Sequence, residues 1–136
     1  MVSRLNEGGY RHARMLIEHG RYVADERDSW SEHQPTARQG NDFIAEHGIR
    51  EYQKWHLGID DEVPETRKSR YTFPYGDFAK VHRCGVLSAE VRAAQFGYDG
   101  IESAAAHLHG MLDALRLGLV ERPRRLPQSE RNTSRG

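Results

Sequence analysis

The sequence predicts a mainly α protein: a single small domain of four or five helices, with room for one short strand pair, and a disordered C-terminal tail. Three observations carry this. Apolar residues recur at helical spacing in several segments, glycines stand where those helices should stop, and apolar residues become scarce after Gly118. The 136 residues fit one domain. Residues 1–120 are expected to form the helical domain and 121–136 an Arg-rich tail.

The elements follow in order. Tyr10, Ala13, Leu16 and Ile17 share one helical face, and Gly20 is placed as its C-terminal cap. Residues 21–24 read as extended, and 25–34 as a polar loop containing Trp30. Thr36 stands three residues before Gln39, so hydroxyl and amide can each satisfy a free backbone N–H in a capping box. The helix it opens carries Phe43 and Ile44 and should end at Gly48. A shorter helical pattern over 49–57 holds Tyr52 and Trp55. Residues 65–77 read as irregular chain, or as a short strand that Pro74 would confine to an edge. From about residue 78 to 96, Val86, Ala89, Ala93 and Phe96 form a stripe flanked by Leu87 and Val91, with Gly97 as the stop. Asp99 and Glu102 repeat the capping-box spacing. Ile101, Ala104, Ala105, Leu108, Leu112 and Leu115 then line one face of a last helix.

Composition excludes several classes. Lys plus Arg and Asp plus Glu are 20 each, and 17 of the 20 bases are Arg. Residues 1–64 hold 12 acids against 8 bases and residues 65–136 hold 8 against 12, so a net −4 half faces a net +4 half. Such a dipolar chain can pair its halves, pair with a copy of itself, or offer its basic half to an anion. Mean hydropathy is −0.83, and no apolar run approaches the ~20 residues of a membrane span. The first residues carry no apolar stretch after their first charge, so no secretory signal is expected and a cytoplasmic location is. One cysteine rules out an internal disulfide framework and a four-cysteine zinc site.

The spacing of the eight histidines argues against a metal. His107 and His109 are two apart on a predicted helix, roughly 200° around it. His82 and Cys84 share that fault if the helix extends so far. There is no HExxH, no GxSxG, no GxGxxG and no Gly-rich phosphate loop. Cys84 alone reads as a small core residue rather than a nucleophile, which would need a base beside it. No catalytic residue, metal or cofactor is therefore expected.

The most unusual stretch carries Arg67, Lys68, Arg70, Tyr71, Phe73, Tyr75, Phe78, Lys80, His82 and Arg83. Bases that neutralise phosphates, interleaved with aromatics that stack on nucleobases, suit single-stranded nucleic acid. Alternatively the aromatics fold inward and pin the segment to the core. The sequence Phe73-Pro74-Tyr75-Gly76-Asp77 has the look of a fixed turn and favours the inward arrangement. Arg122, Arg124, Arg125, Arg131 and Arg135 make the tail a weak polyanion tether or a solubilising terminus.

The stretch RYTFPYGDFAKVHRCGVLSAEVRAAQ (70–95), preceded by WHLGID (55–60), resembles small uncharacterised bacterial proteins in which an aromatic-Pro segment, a basic VHR step and an Ala-rich helix follow one another. More loosely it is similar to a helical module of phage prohead-maturation proteins. The resemblance spans about half the chain and implies a non-enzymatic module, with no site residues to carry over. The expected function is a non-catalytic binding or interaction protein whose partner is another protein or a second copy. The alternative is nucleic-acid binding through residues 67–83 and the tail. No membrane partner is expected.

Overall fold

A computed structural model describes residues 2–120. The chain runs β1 (Arg4–Leu5), α1 (Glu7–Glu18), β2 (Tyr22–Val23), α2 (Trp30–His33), α3 (Ala37–His47), α4 (Ile49–Gln53), β3 (His56–Ile59), a 3-10 turn (Lys68–Arg70), β4 (Tyr71–Pro74), β5 (Val81–His82), α5 (Arg83–Phe96) and α6 (Asp99–Arg116). Helices predominate, but two small sheets are built into the core. One has the order β1-β3-β4, antiparallel throughout; the other pairs β2 with β5 in parallel. The expected tail, residues 121–136, lies outside the described residues. No helix among the described residues is long and apolar enough to cross a membrane.

Local sequence explains most boundaries. Thr36 Oγ1 accepts from Gln39 N–H and the Gln39 side chain accepts from Thr36 N–H, the expected capping box. Gly20, Gly48 and Gly97 take positive φ at the predicted helix stops, where a Cβ would be strained. The expected Asp99 cap differs: Asp99 is the first residue of α6, Tyr98 precedes it as N-cap, and no side chain caps this end.

Three expectations are corrected by strand formation. The 49–57 pattern is helical only to Gln53, because the next residues enter β3, buried at every position between β1 and β4. The 65–77 stretch contains β4, and Pro74 sits on an edge strand as its missing N–H requires. The helix begun near residue 78 starts at Arg83 instead, since Val81 and His82 pair with Tyr22 and Val23. Within α5 the buried stripe is Val86, Leu87, Ala89 and Ala93, whereas Val91 and Phe96 are exposed.

The core joins α1, β3, β4 and the α5–α6 hairpin through Leu16, Ile17, Leu57, Phe73, Tyr75, Val86, Ile101, Leu108 and Leu112. Gly9 makes the contact between α1 and β3 possible. A Cβ there would overlap the carbonyl oxygen of His56. Asn6, at the N-cap of α1, donates its side-chain N–H groups to the carbonyls of Gln53 and His56 and locks the same corner.

Candidate metal centre

The parallel β2–β5 pair places the residues after β2 beside the β5–α5 junction. Four side chains converge there: Asp25, from the loop after β2; His33, at the end of α2; His82, in β5; and Cys84, in the first turn of α5. One donor atom from each lies within 4.8 Å of the other three. Asp25 is the hub. Its Oδ2 is 2.7 Å from His82 Nδ1, 3.1 Å from His33 Nδ1 and 3.2 Å from Cys84 Sγ. Cys84 Sγ is 3.5 Å from His33 Nδ1.

The chain fixes these groups locally. Cys84 N–H donates to Asp25 Oδ1 at 2.8 Å, and Arg83 Nη1 donates to the Asp25 carbonyl at 3.1 Å. The same guanidinium pairs with Asp113 of α6. Trp30 is buried and lies beside His82, its ring centroid 6.0 Å from the imidazole. A Cβ at Gly85 would stand 3.0 Å from the Trp30 ring, so glycine lets α2 approach α5.

His82 has carboxylates at both ring nitrogens, because Nε2 bonds Asp77 Oδ2 at 2.8 Å. Asp77 is in turn held by the backbone N–H groups of Ala79 and Lys80. Burial works against a charged ring at His82, but the bonds to Asp77 and Asp25 outweigh it and raise the pKa. Asp25 is half-buried, yet the donors from Cys84 and His82 hold its pKa below the usual range. Burial, with the Asp25 carboxylate adding to it, pushes the Cys84 thiol up to about 11. In this state the thiol is protonated and donates to Asp25.

The donor set and spacing suit a tetrahedral ion. With Zn–S near 2.3 Å and Zn–N near 2.0–2.1 Å, tetrahedral angles place neighbouring ligand atoms about 3.3–3.6 Å apart. The separations from Asp25 Oδ2, 2.7–3.2 Å, are somewhat shorter, the Cys84–His33 separation of 3.5 Å falls within that range, and no donor pair exceeds 4.8 Å. The Asp77–His82 bond is the carboxylate–histidine arrangement that orients a ligating imidazole.

The helical spacing argument against His82 and Cys84 does not apply here. His82 has extended backbone, and only Arg83 and Cys84 begin the helix. Of the residues singled out in 67–83, the site gathers only His82 and its neighbour Arg83. Tyr71, Phe73 and Tyr75 are buried, with the Tyr71 and Tyr75 hydroxyls donating to the carbonyls of Glu65 and Lys54. Lys68 ties the 3-10 turn to α3 through Asn41 and the Ala37 carbonyl. Arg70 bonds the Val63 carbonyl and Asp61. Arg67 and Lys80 are exposed. Asp25, His33 and Asp77 carried no signal in the sequence; only an extended assignment for His82 would have moved it out of helical register with Cys84.

The chain is thus a mostly helical protein with small sheets, in which one sulfur, two imidazole nitrogens and one carboxylate oxygen converge. No protein-family model, curated protein or solved structure matches the chain.

Proposed function

We propose that this chain is a non-catalytic binding protein whose ligand is a divalent transition-metal ion of the zinc class. The observation that carries the proposal is the convergence of Asp25, His33, His82 and Cys84 from separate segments within 4.8 Å. Thiolate and imidazole donors favour zinc-class ions over magnesium or calcium, which take oxygen ligands. Four protein ligands fill a tetrahedral shell, the pattern of a structural ion rather than a hydrolytic one that keeps a position for water. Charge supports the exchange: the ion displaces the thiol proton of Cys84 and, where the His82 ring carries both protons between Asp25 and Asp77, one of those as well, so the charge it brings is offset by the charge that leaves.

Elemental analysis of the purified protein, followed by zinc titration after chelation, tests this. The expected result is one zinc per chain, lost in Cys84→Ser. Asp77→Asn, which touches no ion directly, should weaken affinity by roughly 10–100-fold. Absence of saturable one-to-one uptake by the folded protein would overturn the proposal.

A further inference from the structure

Beside the cluster, α2 and the loop before it lean over α5 and leave a cavity of about 390 Å³, within the ~300–1,000 Å³ usual for small-ligand sites. Cys84 belongs to both the cluster and the cavity wall. Trp30, Leu87 and Val91 give the floor its apolar part, and Ser31, Gln34 and Ser88 add neutral polar groups beside it. Val91 is 45% exposed, so part of this surface is open to a ligand.

The charges around the floor are unbalanced. Arg27 and Arg92 both line the cavity, and Asp28 is the one carboxylate there. Arg4, Arg11, Arg14, Arg70, Arg83 and Arg116 all form ion pairs. Arg27 and Arg92, like Arg21, Arg38, Arg50 and Arg67, form none among the described residues, but only Arg27 and Arg92 line this cavity; Arg92 also lies 5.5 Å over the face of Phe73. A guanidinium presents a planar fork matched to a carboxylate, and its face stacks on flat apolar groups. The ligand that meets this surface is small and flat, with an apolar ring for Trp30 and Val91 and an anionic end for the guanidinium.

The wall bearing Arg27 and Trp30 is the chain between two of the metal donors, Asp25 and His33. An ion that joins those donors to His82 and Cys84 holds this wall against α5. Two ligands that favour the same arrangement help each other by the same factor.

We propose that this cavity binds a small aromatic carboxylate, and that the adjacent metal ion sets its affinity by fixing the 25–33 wall. The coupling rests on the metal proposal above; the cavity itself does not. The test is calorimetric titration of 2-naphthoate into zinc-loaded and chelator-treated protein, with zinc content measured on each sample. One site is expected in the zinc-loaded protein, at least tenfold weaker after zinc removal and at least tenfold weaker in Arg27→Gln. Arg27 has no ion pair among the described residues, so this variant should keep its fold. The neutral analogue 2-naphthylmethanol should also bind at least tenfold less well. No binding up to millimolar concentration, equal binding of the alcohol, or indifference to Arg27→Gln would overturn the cavity assignment. Equal affinity with and without bound zinc would overturn the coupling and leave the metal centre standing. A chain that never takes up zinc would remove the metal proposal, while its affinity for 2-naphthoate still decides the cavity.

Discussion

His56 should make the fold acid-sensitive by an amount the structure fixes. The ring is buried in β3, packed on Tyr52 at 4.5 Å between centroids, and its Nδ1–H donates to the Tyr52 carbonyl at 2.9 Å. Burial lowers its pKa from 6.5 to about 4. The folded state therefore prefers the neutral ring, whose contribution is complete above the unfolded pKa and is lost as pH falls from 6.5 towards 4. A shift of about 2.5 units at ~1.36 kcal/mol each is worth about 3.4 kcal/mol. Between pH 7 and 4.5 about 2.4 kcal/mol of that should disappear. Urea unfolding across this range measures the loss, and the same series on His56→Gln subtracts contributions from other groups. The wild type should fall more steeply by that amount. Parallel curves would refute the argument. So would an NMR titration of the wild-type His56 ring with its midpoint near 6.5, a check that does not depend on the variant folding.

Other outcomes follow from the packing and the metal centre. Leu108 is fully buried, so Leu108→Ala should cost on the order of 2–5 kcal/mol in chemical denaturation; a loss under about 0.5 kcal/mol would place that face of α6 in solvent. Gly9→Ala drives a methyl into the His56 carbonyl and should cost about 1–3 kcal/mol, with the same assay as the check. Zinc uptake should release one proton from the Cys84 thiol in weakly buffered neutral solution, and a second from His82 at acidic pH where its ring carries both protons; uptake without proton release would show that Cys84 is not a ligand. Chelation should lower the melting temperature, whereas an unchanged melting curve on loss of bound zinc would show that the ion does not tie residues 25–33 to α5.

The helices were legible where one local pattern decided them. The α6 stripe from Ile101 to Leu115, the Thr36–Gln39 cap and the glycine stops need only neighbours in sequence. The strands were harder because they are short and take their form from partners far away. Gly58 pairs with Thr72 on one side and Leu5 on the other, and nothing in residues 56–59 announces either partner. The aromatics of 71–75 were legible in part: the turn-like Phe73–Asp77 sequence favoured burial, and burial is what they show. The cluster was the least legible. Its two histidines lie on different segments, and Asp25 looked like any acid in a polar loop. His82 and Cys84 come together only because β5 ends and α5 begins between them.

The parallel pairing of Tyr22–Val23 with Val81–His82 has a consequence for the order of assembly. The α5–α6 hairpin is built from contacts close in sequence, so it should form early. The two-residue ladder closes a loop of nearly sixty residues, and the Asp25–Cys84 bond beside it spans 59 positions. Two backbone pairs are little return for that closure, whose cost grows with loop length. An ion joining the same segments acts as a removable cross-link. By the chain-entropy relation for cross-links, a loop of this size corresponds to about 4 kcal/mol drawn from the unfolded ensemble. Without the ion, amide exchange should begin at β2 and β5 while α5 and α6 remain protected, so the last contact made is the first to open.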